Sequence, residues 1–325
     1  MKIKQAIKNY FRIIVTLKYY MYDMSHLFTS IFSKKSYNYD KILSTIQEKM
    51  HQIEKGLTKS NFRYCFGYNS LKILTDSLER FYSLFPDDLS NTTYLAGIDS
   101  LFVYLYKHEG ILCTNLDMIK NTLARIGVPK FNSFAGIEII SNEELSNINC
   151  NEYKKIVFSR RSIRDFDNIK VSDEDLEEVL NVAQHSPSAC NRQGWKTRVV
   201  SNENMINNIL HAHGGLGQNG EYISHLLIVT GLKNYYGYPS ERNQVFIDSS
   251  LYCMNLMFSL TSKKIGSCPL NVNFNRKKYN KIAHQVNIKN NEIMIMIIAI
   301  GHYKNENKVA ISKRKTIGES VIFFK

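Results

Sequence analysis

The sequence predicts an α+β protein in which an all-helical extension, residues 1–150, precedes a mixed region, residues 151–325. Two observations carry this. Up to about residue 126 apolar residues recur at three- and four-residue steps, the spacing of a helix face. After about residue 151, β-branched runs are mixed with helical stretches in the order helix, strand, strand, helix, strand. That order departs from the regular alternation of a parallel βαβ array. With 5 prolines and 16 glycines among 325 residues, little chain is left for irregular linkers.

The elements follow in order. Phe11, Ile14, Leu17, Met21, Met24 and Phe28 make a helical stripe in a basic segment, residues 1–35, in which Lys18 and Asp23 interrupt any membrane span. Ile42, Ile46, Met50 and Ile53 form a second face, and Leu71, Leu74, Leu78 and Phe81 a third. Leu101, Val103, Leu105 and Tyr106 belong to a further apolar segment. Gly56, in the run His51-Gln-Ile-Glu-Lys-Gly-Leu57, is positioned to end its helix through a left-handed cap. Residues 127–150 have weaker periodicity and are expected to be a connector. Ser172 is placed to cap a helix carrying Leu176, Val179, Leu180 and Ala183, which Pro187 stops near Ser186. Residues 197–201 and 226–232 read as strands, 246–264 as an apolar helix ended by Gly266. The run 293–300 reads as a strand buried on both faces.

Composition excludes several classes of protein. Hydrophobic residues make up 44% and charged residues 22%, a soluble globular balance, and no run of about 18 uncharged apolar residues exists. The excess of 42 Lys+Arg over 29 Asp+Glu gives a net charge of +13. A basic surface can meet nucleic acid, an anionic membrane or a phosphorylated ligand. No zinc-finger spacing or aromatic-basic signature supports nucleic acid, which is not expected as a partner. Cys65, Cys113, Cys150, Cys190, Cys253 and Cys268 contain no Cys-x-x-Cys pair, so no metal is expected. They read as reduced thiols of a cytoplasmic protein.

Two segments carry chemistry. In Ser159-Arg-Arg-Ser-Ile-Arg-Asp-Phe166, Arg160, Arg161, Arg164 and the Ser162 hydroxyl crowd together. Guanidinium groups bind phosphate through paired, charge-assisted hydrogen bonds; a solvated basic turn would look the same. In His185-Ser-Pro-Ser-Ala-Cys-Asn-Arg-Gln-Gly-Trp195, a proline-stiffened loop offers backbone amides, small side chains and Asn191 to a flat ring. It could equally be a plain helix-to-strand loop with Trp195 in the core.

Taken together the two segments, an Arg-x-Ser-x-Arg-x-Phe stretch and a Ser-Pro-Ser-x-x-Asn-x-Gln-x-Trp loop separated by one capped helix, resemble the nitroreductase family of flavoproteins. Ile265-Gly-Ser-Cys-Pro-Leu-Asn271 resembles that family's Gly-x-x-x-Pro turn over the flavin, and Ile300-Gly-His302 the end of its last core strand. The run Ser312-Lys-Arg-Lys315 resembles its late phosphate contact. The resemblance covers about residues 151–325. The His51–Leu57 run is similar to a subgroup found beside surface-polysaccharide genes.

The resemblance implies a mostly antiparallel central sheet flanked by helices, bound FMN, and NADH or NADPH as electron donor. It implies a homodimer with flavin at the interface and reduction of a small-molecule acceptor by ping-pong hydride transfer through flavin N5. Carried over by position, Arg160, Arg161 and Ser162 face the phosphate and ribityl chain, and Arg164 the pyrimidine edge. Pro187, Ser188, Ala189 and Asn191 form the loop given to the other subunit's flavin, and Gln218 and Asn219 supply a ring-binding amide. Pro269, Leu270 and Asn271 face N5, while Lys313 and Arg314 close on the phosphate. No side-chain catalytic residue is implied, because the flavin carries the chemistry. His185, His211, His213 and His225 read as packing or surface histidines. Gly194 departs from the family's usual proline before tryptophan. With only residues 233–244 between strand and long helix, the excursion that covers the pocket in larger relatives is missing, and the N-terminal helices are candidates to replace it. Two other readings stay open at this stage: a flavin-binding protein without turnover, and a membrane-peripheral scaffold of a polysaccharide-biosynthesis complex.

Overall fold

A computed structural model describes residues 10, 13–21, 23–25, 28, 39–59, 63–127, 135–141, 146–216 and 222–324. Four helices form a bundle: α1 (Tyr39–Leu57), α2 (Tyr68–Leu84), α3 (Thr92–Lys107) and α4 (Thr114–Ile126). The two faces predicted on α1 and α2 are buried as expected, with Ile46, Leu71, Leu74, Leu78 and Phe81 fully inaccessible. On α3 the buried face is Tyr94, Ile98, Leu101 and Tyr104, whereas Tyr106 is exposed. The run 101–106 is apolar nearly throughout, so it hides which 3.6-residue stripe faces inward. Asn91 caps α3, its side-chain oxygen accepting from the amides of Thr93 (3.0 Å) and Tyr94 (3.3 Å).

Gly56 does not end its helix. α1 continues through Leu57, which is buried, and the place of Gly56 is explained by close approach: a Cβ there would lie 2.0 Å from the Phe66 ring. The cysteine reading also needs correction. Cys65 and Cys113 are joined in a disulfide, Cα–Cα 6.2 Å, linking the segment before α2 to the N-cap of α4. Forty-eight residues separate the pair in sequence, so no spacing motif announces it, and cysteine usage no longer argues for a reducing compartment. Cys150, Cys190, Cys253 and Cys268 are free thiols.

The remainder is α+β. It comprises α5 (Cys150–Ser159), α6 (Asp173–Gln184), β1 (Trp195–Val200), α7 (Glu203–His213), β2 (His225–Leu232), α8 (Gln244–Ser262), β3 (Ile265–Leu270), α9 (Arg276–Gln285) and β4 (Glu292–His302). Ser172 caps α6 as predicted, accepting from the Asp175 amide. The strands form one antiparallel sheet in the order β1-β2-β4-β3. On β2, Leu226 and Ile228 face a core shared with α7 and α9, and Leu227 and Val229 face one shared with α6 and α8. Ile297 and Ala299 of β4 share the first core, Ile298 and Ile300 the second. A strand covered on both faces has no polar side to alternate with, which is why this run reads as continuous β-branched sequence.

Gly266 does not stop the long helix either. α8 ends at Ser262, Lys264 takes the left-handed conformation (φ 57°), and Gly266 lies inside β3. The segment 265–271, expected as a turn, is therefore mostly strand. Its Pro269 is tolerated because β3 is an edge strand of the named sheet, where a missing N–H interrupts no ladder.

Of the N-terminal stripe, Phe11 lies outside the described residues. Residues 13–21 are helical, and Leu17, Met21, Met24 and Phe28 are exposed. No helix among the described residues is long and apolar enough to cross a membrane. Replacing Gly56 by Ala is expected to displace Phe66 and destabilise the chain by about 1–3 kcal/mol, the usual range for overpacking. A urea midpoint identical to wild type would mean that the ring has room to move.

Candidate functional site

The arginine cluster forms where α5 ends. Arg160 is the C-cap of that helix, a position whose dipole favours cations, and it is half-buried. The chain then runs beside the edge of β3: Ile163 donates its amide to the Ser267 carbonyl (2.9 Å), and Ser162 bridges Ser267 in parallel sense. This lays Arg164 close enough to Cys268 to favour the thiolate, against a burial that pushes the thiol up more strongly. The Arg164 guanidinium also donates to the Ser162 carbonyl (3.3 Å).

The late basic segment returns to the same place. Burial lowers the pKa of Arg160, and repulsion from Arg314 and then Arg161 lowers it further. Arg314 is thus near enough for its charge to be felt at Arg160. Arg161 donates to the carbonyls of Phe158 and Arg160, and Arg314 to that of Ser312, so both are held by backbone. Among the described residues none of Arg160, Arg161, Arg164, Lys313 and Arg314 is ion-paired with a carboxylate. The Ser267 hydroxyl is buried beside Ser162 without a hydrogen-bond partner. Converging uncompensated cations beside an unsatisfied hydroxyl fit a phosphorylated group.

Pro269 and Leu270 close β3, and Asn271 follows it, its carbonyl facing His213 Nε2 at 2.7 Å. His213 is thereby placed at the site's margin as a turn-holding group. Gln218 and Asn219 lie outside the described residues.

The Pro-Ser loop lies elsewhere. It precedes β1, the strand at the opposite edge from β3. Three interstrand spacings separate those edges, about 14 Å at about 4.8 Å each. Asp248 of α8, 1% exposed, accepts from the Ala189 amide (3.0 Å), the Tyr236 hydroxyl (2.8 Å) and Gln244 (2.7 Å). The Ser188 hydroxyl accepts from the Gln193 amide (2.9 Å). Cys190, Asn191 and Gln193 all have positive φ (54°, 52° and 52°), a conformation that non-glycine residues adopt only when their surroundings hold them there. Pro187 and Asn191 are exposed, and Ser188 and Ala189 half-buried.

Trp195 belongs to the core: it stacks on Tyr252 (centroids 5.0 Å apart), and its indole donates to Gln184 (2.8 Å). Gly194 has its own reason, since a Cβ there would meet the Tyr236 hydroxyl at 2.9 Å. Sequence reasoning passed over Arg192, which is 3% exposed and bonded to Glu48 of α1 (2.8 Å) and to Glu241 (2.7 Å). It missed Asp248 as well. Nothing in the sequence around either residue marks it as buried.

Comparison with known proteins points to the same half. The model of the "Nitroreductase family" matches residues 157–221. The chain is similar to "Putative NADH dehydrogenase/NAD(P)H nitroreductase" of Archaeoglobus fulgidus, 28% identical over 48% of this chain and 87% of that one. It is 27% identical to "Putative NAD(P)H nitroreductase YodC" of Bacillus subtilis, over 50% of this chain and 96% of that one. Among solved structures, a B. subtilis protein described as a nitroreductase, ydfN, is 22% identical with a TM-score of 0.49, over 54% of this chain and 100% of that one. The residues matched by the family model include the Ser159–Phe166 segment and the Pro-Ser loop, and both curated relatives carry the name nitroreductase.

Proposed function

We propose that residues 151–325 form an FMN-binding domain and that the protein is an NAD(P)H-dependent oxidoreductase of a small-molecule acceptor. The observation that carries this is the basic segment Arg160–Arg164, laid along the edge of β3 by Ser162 and Ile163, with the charge of Arg314 felt at Arg160 and no carboxylate ion-paired to these arginines among the described residues. The names of the curated relatives, which specify NAD(P)H, support the donor. FMN, when bound, supplies hydride chemistry at N5, accepting from a nicotinamide and giving to the acceptor in alternate half-reactions.

The chain's own residues bind and orient. Arg160, Arg314 and Lys313 hold the phosphate, with Arg161 adding charge and Ser162 a neutral donor. Arg164 reaches the pyrimidine edge, where a cation favours the reduced, anionic ring. Pro269, Leu270 and Asn271 would line the side of the ring that carries N5. Pro187, Ser188, Ala189 and Asn191 close the far side from a second copy, because the sheet order separates them from the arginines of their own chain. A homodimer also accounts for the exposed apolar tail Val321, Ile322, Phe323 and Phe324, and for Phe246, Ile247 and Leu251 on α8.

A second reading concerns residues 1–35 only. The helix at 13–21 exposes Ile13, Val15, Leu17 and Met21, and the first 22 residues carry Lys2, Lys4, Lys8, Arg12 and Lys18 with no acidic residue. This composition suits peripheral contact with an anionic membrane.

The purified protein is expected to be yellow with a flavin spectrum, and NADH or NADPH should bleach it anaerobically. A colourless protein that takes up no FMN refutes the assignment, and colour without bleaching makes it a flavin-binding protein without turnover. Arg164→Ala should weaken FMN binding by about 1.5–3 kcal/mol, the loss of one charge-assisted contact; unchanged occupancy would mean that the segment is misread. Light scattering should give twice the 37.7 kDa chain mass, and a monomer that still holds FMN tightly would contradict the shared site.

A further inference from the structure

Arg192 is not on the list of flavin contacts, yet it is the most completely buried cation near them, at 3% exposure. Its guanidinium lies between Glu48, 2.8 Å away on α1, and Glu241, 2.7 Å away, and 5.7 Å from the centre of the Tyr236 ring. Lys49 stands 2.6 Å from Glu48 and brings the cluster to balance, two cations against two carboxylates. Burial pushes the Glu48 carboxyl up, but hydrogen bonds from Lys49 and Arg192 outweigh it and hold the group below its usual value. Charges withdrawn from water this far persist only where the geometry answers their hydration, and removing one partner leaves the other buried and unpaired.

The position of this cluster gives it a use. Arg192 falls within the left-handed run Cys190, Asn191 and Gln193, between two of its members. That run fixes where Ser188, Ala189 and Asn191 project, and Asp248 fixes it from beneath through the Ala189 amide. The N-terminal bundle touches the same assembly twice. Glu48 grips Arg192, and the Ser44 hydroxyl donates to the Tyr235 carbonyl (2.8 Å), next to the tyrosine that donates to Asp248. The connection between β2 and α8 is short, and α1 bonds both to it and to the Pro-Ser loop.

We propose that Arg192 is a positioning residue for the flavin-facing loop and that the N-terminal extension sets flavin affinity through it. Glu48 and Glu241 hold the guanidinium, the guanidinium holds the left-handed run, and the run presents the loop's amides and side chains. The inference rests on the flavin reading above.

The test uses the full chain, stripped of flavin and titrated with FMN by fluorescence quenching, with thermal melting of each variant. Glu48→Gln and Glu48→Ala should raise the Kd for FMN about tenfold or more, the scale of a lost charged hydrogen bond. Arg192→Lys, which keeps the charge and loses the two-pronged grip, should fall between wild type and Arg192→Ala. If Arg192→Ala does not fold, the two Glu48 variants decide. Glu79→Gln is the control: it removes the charge that pairs with Arg125 and weakens the acceptor of Thr122, away from the loop, and should lower the melting temperature while leaving the Kd unchanged. Folded Glu48 variants with wild-type Kd overturn the role, and so does an equal loss of affinity in Glu79→Gln, which would reduce it to general destabilisation. Failure of the wild-type chain to bind FMN removes the flavin reading itself, a result distinct from the other two.

Discussion

A guanidinium withdrawn from water and held between two carboxylates is the constraint on which the architecture turns. Arg192 cannot give up either partner cheaply, because a buried charge without its counter-ion costs more than the pair contributes. One partner belongs to the helical bundle and the other to the short connection before α8. Separate apolar cores would let the bundle and the sheet region drift against each other. This polar contact, with Ser44 on Tyr235 and Asp40 on Asn291 (2.6 Å), fixes their relation. Apolar burial supplies most of the stability of each part, while ionic and hydrogen-bonded contacts specify how the parts meet.

The sheet solves a different problem. Its central strands, β2 and β4, are covered on both faces and carry no chemistry. Function is pushed to the margins, where the Pro-Ser loop enters β1 and the arginine segment runs along β3. The strands between them hold these two margins about three interstrand spacings apart.

Much of this could be read from the chain. The stripes of α1 and α2, the Ser172 cap and the double-faced strand are all local patterns, and local patterns survive in sequence. What escaped is what depends on distant partners. Gly56 reads as a helix end until Phe66 is seen against it, and Gly266 as a stop until Lys264 is found to take the turn. Arg192 reads as surface because neither Glu48 nor Glu241 is near it along the chain. Residues 203–213 and 276–285 form helices that the sequence reading left out, the second rich in Lys and Arg and with Ile282 alone buried. The cluster of like charges at Arg160, Arg161 and Arg164 was legible because it is contiguous in sequence. The brace around Arg192 was not, since its signal is a charge balance assembled from three parts of the chain.

The cystine between Cys65 and Cys113 encloses all of α2 and α3, and closing a loop of that span removes about 4 kcal/mol of chain entropy from the unfolded bundle. Handling the protein with or without thiol reductant therefore acts on the half that carries Glu48 and leaves the arginine pair, built on other cores, untouched. Preparations that differ only in dithiothreitol would be chemically two materials, alike at one margin of the sheet and unequal in how firmly the other is backed.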